Sequence, residues 1–311
     1  MSAQGAWDSD VISVEGLCMR YRTLDVLRDV AFRVHRGEVV VLLGPNGAGK
    51  TTTVEVLEGF RRPSAGQVRV LGASPFHGDR RWRARTGMVL QTWRDHGRWR
   101  VREFLAYQAS YYRPYATVQT PRPWDAADLL AAVGLAGQAR TRIRQLSGGQ
   151  RRRLDLAIGV AGRPELLFLD EPTAGLDPHA RREFHDLLAG VCRDLGTTVL
   201  MTTHDLDEAG KLADRIIILA GGRIVAQGSA GDLRRQIAGQ DEVRWAHAGQ
   251  RFRRFTPDAT SFVRSLLAAD GEAISELEVH RASLEETYLA LVREAENSHG
   301  VAAAASPGGA A

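Results

Sequence analysis

The sequence predicts an α/β fold: a mixed sheet core carrying a helical insert, followed by a small α+β C-terminal domain. Three observations predict it. Val39 to Leu43 is an unbroken apolar run, the pattern of a parallel strand buried on both faces, and it leads into a glycine-rich loop and a helix from Lys50 onward. Leu166 to Leu169 is a second such run, ending in Asp170 and Glu171. Thr197 to Met201 is a third, ending in polar residues and His204.

The elements follow in order. Met1 to Asp10 is polar and rich in small residues and is expected to be disordered, so the fold starts at Val11. Val11 to Val14, Ala31 to Val34, Gln67 to Leu71 and Thr86 to Leu90 have strand patterning. Helix formers and aromatics then dominate Val101 to Tyr112 and Ala126 to Val133, which marks residues 92–160 as a helical insert. Ile216 to Ala220, Gly221-Gly222 and Arg223 to Ala226 read as a hairpin that ends the first domain near Arg235. In the C-terminal domain, residues 236–294, Glu242 to Trp245 and Ala273 to His280 are expected strands, and Ser283 to Glu286 is a capping box opening a last helix to Glu294. Residues 295–311 are Ala, Gly, Ser and Pro with little apolar bulk, a composition that predicts a disordered tail.

Composition narrows the function classes. The 311 residues carry a net charge of +4, with arginines scattered among acids, and this pattern implies no nucleic-acid partner. Lysine occurs only at 50 and 211, so a lysine inside the glycine-rich loop stands out. Cys18 and Cys192 are far apart and form no metal-ligand spacing, in keeping with a reducing compartment. No apolar run reaches the length that spans a bilayer, so any membrane-crossing task is expected to belong to another polypeptide.

The chemistry is concentrated in three motifs. Gly44-Pro45-Asn46-Gly47-Ala48-Gly49-Lys50-Thr51-Thr52 fits G-x-x-x-x-G-K-[ST], in which glycines let backbone N–H groups curl around phosphate oxygens. The helix start adds unpaired N–H groups and the positive end of its dipole. Lys50 is positioned to reach the β- and γ-phosphates, and Thr51 to offer a hydroxyl to Mg²⁺. At the strand end, Asp170 is expected to hold the Mg²⁺ shell while Glu171 polarises the attacking water. Leu146-Ser147-Gly148-Gly149-Gln150 also fits S-x-x-Q, a capping box, but a cap requires neither Gly148 nor Gly149, whereas close approach of backbone to phosphate does. Arg151 to Arg153 follow on that helix and face different directions, so at most one can meet a nucleotide.

Leu-Ser-Gly-Gly-Gln at 146–150, followed by Leu-Asp-Glu-Pro-Thr-Ala-Gly-Leu-Asp-Pro at 169–178, resembles the nucleotide-binding domain of ATP-binding cassette (ABC) proteins, a P-loop NTPase, over Val11 to Gly228. The resemblance implies a head-to-tail homodimer around two ATP molecules, each held by the phosphate loop of one chain and by Ser147 to Gln150 of the other. It further implies that Gln91 touches Mg²⁺ or the attacking water, that His204 contacts the γ-phosphate, that Asp177 lies in the loop crossing the dimer, and that Tyr21 stacks on adenine. The ending Val279 to Leu289 resembles ATPases of drug-resistance exporters that pair with a separate multi-span permease. This places the chain at the cytoplasmic face of the membrane with a drug, antibiotic or lipid-like cargo. Trp93 to Arg100 occupies the segment where such proteins dock their permease. The rival readings are an importer ATPase and a soluble ABC ATPase acting on nucleic acid or ribosomes. Against the latter, only about a hundred residues separate phosphate loop and signature, with no sustained heptads, and the chain has one cassette.

Overall fold

A computed structural model of the chain describes residues 10–90, 96–237, 241–247, 250–256, 258–280, 288 and 292. The chain divides into two compact units, Met1–Ile224 and Val225–Ala311.

The first unit opens with a long hairpin, β1 (Asp10–Tyr21) and β2 (Leu24–His35), and continues through β3 (Val39–Leu43), α1 (Lys50–Leu57), β4 (Ala65–Val70), α2 (Arg80–Arg83) and β5 (Thr86–Val89). The helical insert follows as α3 (Val101–Ser110), α4 (Ala126–Ala132) and α5 (Gly148–Val160). Then come β6 (Leu166–Asp170), α6 (Pro178–Leu195), β7 (Thr198–Thr203), α7 (Leu206–Leu212), β8 (Arg215–Ala220) and β9 (Arg223–Gly228), whose last residues run into the second unit.

The strands of the mixed core form two sheets. A three-stranded antiparallel sheet has the order β2-β1-β4, and a six-stranded sheet has the order β5-β6-β7-β3-β8-β9. Pairs β5-β6, β6-β7, β7-β3 and β3-β8 are parallel. β1 and β2 exceed the short runs expected at Val11 to Val14 and Ala31 to Val34, because bulges between Val14 and Leu17 and between Leu17 and Met19 break the alternation that marks a strand in sequence. One face of the six-stranded sheet, with Val40, Leu42, Phe168, Leu200 and Ile217, shares a single core with Val54 and Leu57 of α1 and with Ile12, Leu17, Val30 and Val70 of the antiparallel sheet. Val41, Leu43, Leu167, Leu169, Val199 and Met201 are buried as well, so these strands are covered on both faces.

The strand order sets the site. β3, β6 and β7 are adjacent and parallel, with Leu43 beside Thr203 and Asp170 beside Thr202. The loops leaving their C-terminal ends therefore converge, at the edge where open α/β sheets bind ligands.

The second unit holds α8 (Ala230–Ile237), β10 (Asp241–His247), β11 (Gln250–Thr256), α9 (Ala259–Asp270) and β12 (Ile274–His280). Its antiparallel sheet has the order β11-β10-β12. On this sheet Trp245 stacks on Phe252 at 5.7 Å and meets Phe262 of α9 at 5.5 Å. The capping box at 283–286, residues 1–9 and residues 295–311 lie outside the described residues, whereas Asp10, expected to be disordered, begins β1 opposite His35.

Candidate nucleotide site

The loop between β3 and α1 is shaped by contacts that only glycine permits. A Cβ on Gly44 would lie 2.2 Å from the Leu219 carbonyl oxygen, and one on Gly49 would lie 2.6 Å from Leu27 Cδ2. Gly49 sits in the left-handed region at φ 104° and starts α1 with no side-chain cap and no acid in the first turn. A helix start left open in this way offers N–H groups to an anion. Ala48 is buried, Asn46 and Gly47 are exposed, and Pro45 and Thr52 are half-buried. The buried Lys50 ammonium donates to Gly44 O at 2.8 Å and to Pro45 O at 3.2 Å, folding back over the loop that it serves.

The acidic strand end meets this loop directly. Asp170 accepts a hydrogen bond from Thr51 Oγ1 at 3.3 Å and one from Thr202 Oγ1 at 2.5 Å. Adjacent hydroxyl and carboxylate oxygens are the hard donors that Mg²⁺ takes, so the pair fits that ion. Glu171 follows at φ 44°, a left-handed conformation that costs a non-glycine residue about 1–2 kcal/mol. Its N–H donates to Thr202 O at 3.2 Å and to Thr202 Oγ1 at 3.0 Å, which anchors the turn. The Glu171 carboxylate lies 3.5 Å from Lys50 Nζ and 3.4 Å from His204 Nδ1. The half-exposed His204 thus shares one cleft with Lys50, Thr51, Asp170 and Glu171. Glu58, on the C-terminal side of α1, carries a carboxyl pushed up to about 8, first by burial and then by the charges of Asp170 and Glu55. Nothing in its sequence context signalled this.

The third motif stands apart in character. Ser147 caps α5, its Oγ accepting from Gln150 N at 3.2 Å while Gln150 Oε1 accepts from Ser147 N at 3.0 Å. The capping box is formed, and the Gln150 side-chain oxygen is engaged in it. Ser147 and Gly148 are exposed. A Cβ on Gly148 would meet nothing within 4 Å, and one on Gly149 would only touch Ala180 Cβ at 3.4 Å. Of the three arginines that follow, Arg151 pairs with Asp155 at 3.2 Å and Arg153 with Glu183 at 2.8 Å. Arg152 is buried rather than solvated, and donates to Leu90 O at 2.8 Å. Burial raises Asp155 to about 6 against the pull of Arg151 and Arg152.

Asp177 caps α6, accepting from His179 N and Ala180 N at 2.9 Å each, and these bonds hold its carboxyl below the usual carboxylate range. Tyr21 ends β1 half-buried, with the Arg61 guanidinium 5.2 Å from its ring centroid. One ring face is therefore taken by a cation, which sequence spacing did not suggest. Gln91 and residues 92–95 lie outside the described residues. Beyond them, Trp99 packs against Phe104 and Tyr107 at 5.9 and 5.3 Å.

A phosphate loop, a convergent acid pair and a histidine at three adjacent parallel strand ends, with a helical insert between β5 and β6, define a nucleoside triphosphatase of the P-loop class. The family model for "ABC transporter" matches residues 27–174. The daunorubicin resistance ATP-binding protein DrrA3 of Streptomyces coeruleorubidus is 41% identical over 240 residues, covering 77% of this chain and 75% of that protein. The Nod factor export ATP-binding protein I of Rhizobium johnstonii is 39% identical over 228 residues, covering 73% and 72%. Among solved structures, cbiO1 from Clostridium perfringens, part of the ABC transporter complex cbiONQ, superposes with a TM-score of 0.62 at 26% identity, over 74% of this chain and 94% of that one. The chain belongs to the ABC transporter ATP-binding family and is an ATPase. Among the described residues no helix is long and apolar enough to cross a membrane.

Proposed function

We propose that this ATP-binding subunit powers an exporter, working as a head-to-tail homodimer on the cytoplasmic face of a separate multi-span permease. The observation that carries the dimer is the start of α5: two glycines at an exposed helix N-terminus, with no neighbour among the described residues that excludes a side chain. A phosphate approaching from a second copy supplies the missing reason. Two relatives, one of daunorubicin resistance and one of Nod factor export, support outward transport, and with it a drug, antibiotic or lipid-like cargo.

In this reading the 44–52 loop and Lys50 hold the ATP phosphates, Tyr21 lies beside the base, and Ser147 to Gln150 with Asp177 of the partner copy close the pocket. Thr51 and Asp170, with Gln91, hold Mg²⁺, which when bound neutralises charge on the β- and γ-phosphate oxygens. Glu171 takes the proton of the attacking water, and His204 steadies the γ-phosphate. The test is to look for a six-span membrane protein encoded beside this chain and to co-express the two. Co-purification with cargo-stimulated ATP hydrolysis is expected; a cassette that binds no membrane protein, or turns over without response to drugs or lipids, contradicts the exporter reading.

A further inference from the structure

A buried polar cluster behind the site has no part in the roles above. Glu208 of α7 is 1% exposed, and its Oε1 lies 2.7 Å from Thr173 Oγ1 and 2.8 Å from His185 Nε2. The three residues come from three elements: Thr173 from the turn just after Glu171, His185 from α6, which Asp177 caps, and Glu208 from the helix just after His204. A carboxylate only accepts, so the cluster assigns the His185 proton to Nε2. Burial works to raise the Glu208 carboxyl, but the bonds from His185, Thr203 and Thr173 outweigh it and hold the group below its usual range.

A second contact runs parallel to the first. Arg181, one turn before His185 on α6, pairs with Asp205, which caps α7 by accepting from Glu208 N at 3.1 Å. Asp205 N in turn donates to Thr203 Oγ1 at 3.0 Å, beside His204. Two rungs therefore join α6 to the first turn of α7, four residues apart on one helix and three on the other, the spacing at which side chains share a helix face. Two such contacts tie the helix pair together at its site-facing end.

We propose that Glu208, pinned by His185 and Thr173, is a positioning residue that locks the helix behind Asp177 to the helix behind His204, so that seating of the second copy against Asp177 sets the reach of His204 to the γ-phosphate. This rests on the roles given to Asp177 and His204 under the proposed function. A buried carboxylate that loses a donor is costly to leave unpaired, so the cluster favours a single arrangement of the two helices.

The test is ATP turnover by the full chain carrying His185→Phe, His185→Gln or Thr173→Val, with His204→Ala as reference. His185→Phe removes the donor; His185→Gln keeps an N–H that can reach Oε1; Thr173→Val is nearly isosteric and serves if His185→Phe does not fold. His185→Phe is expected to lower kcat by one to two orders of magnitude, the scale of misplacing a reacting group by about 1 Å. KM for ATP should stay within about twofold, because the phosphate loop is untouched. His185→Gln should recover most of the loss, and Thr173→Val should add little on top of His185→Phe, since both act through one carboxylate. Folded His185→Phe and Thr173→Val proteins with wild-type kcat, beside a His204→Ala protein that has lost turnover, would overturn the inference alone. Wild-type turnover in His204→Ala would remove the role of His204, and the inference with it.

Discussion

Gly44 and Gly148 each belong to a motif at the start of a helix, and they differ in what surrounds them. Gly44 is enclosed by its own chain, with the Leu219 carbonyl where a Cβ would go, whereas Gly148 looks into open space. The phosphate loop is therefore complete within one molecule: its shape follows from intrachain packing, and Lys50 already lies over it. The α5 start is finished as a helix end, with its capping box formed, and unfinished as a binding surface. A glycine there costs up to about 1 kcal/mol relative to alanine, and nothing among the described residues accounts for it. The difference teaches that the phosphate loop is shaped by its own chain, while the α5 start is left open, as the proposed dimer requires.

The largest effect expected in this comparison is that of Glu171→Gln. Removing the base at the complete half should cut steady-state hydrolysis by about 10²–10⁴-fold while ATP binding persists, as measured by phosphate release beside calorimetry; undiminished turnover would take Glu171 out of that role. Lys50→Ala should weaken ATP by about 10–100-fold through loss of charge-assisted bonds, with unchanged affinity in calorimetry counting against the phosphate assignment.

The paired glycine variants test the contrast itself. Gly44→Ala must displace backbone and should destabilise by about 1–3 kcal/mol, lowering Tm by several degrees. Gly148→Ala should leave Tm level or slightly raised and yet weaken ATP-driven association in sedimentation; equal Tm losses in the two variants would erase the distinction.

The smallest effect separates the anchored body of α5 from its exposed start. Asp155 titrates near 6 in the folded chain, above its ordinary 3.8. Between those values the folded state holds a proton that the unfolded chain has released, so the contribution of this group to stability falls as pH rises from about 4 to about 6 and is level above. Asp155→Asn should flatten that decline, worth at most about 3 kcal/mol, in urea titrations at pH 4 and 7, without altering association. A decline as steep as in the wild type would show that Asp155 is not its source.

What could be read from sequence was chemistry tied to local backbone. The phosphate loop, the acid pair and the Ser147 cap are dictated by residues within a few positions of one another, and the structure brings Lys50, Thr51, Asp170, Glu171 and His204 into one cleft. What escaped depended on distant partners or broken patterns. The positive φ of Gly16 and the bulges around it hid the full length of β1. β11 was missed because Gln250-Arg251-Phe252-Arg253-Arg254-Phe255-Thr256 is too charged to read as a strand. α9 did carry a readable start, Asp258 accepting from Ser261 N at 2.9 Å ahead of a periodic apolar stretch. The burial of Arg152, the Glu208 cluster and the cation over Tyr21 arise from packing between segments that one-dimensional patterns do not connect.

The central claim is that a working pocket needs the phosphate loop of one copy and the α5 start of another. It is tested most directly by mixing two disabled chains, one with Lys50→Ala and one with Gly148→Asp, and measuring ATP hydrolysis. Each should be inactive alone, while the mixture should regain turnover, because the mixed dimer joins an intact phosphate loop from the Gly148→Asp chain to an intact α5 start from the Lys50→Ala chain. Wild-type turnover by the Gly148→Asp chain alone, or a mixture of folded chains as inactive as its parts, would contradict the claim.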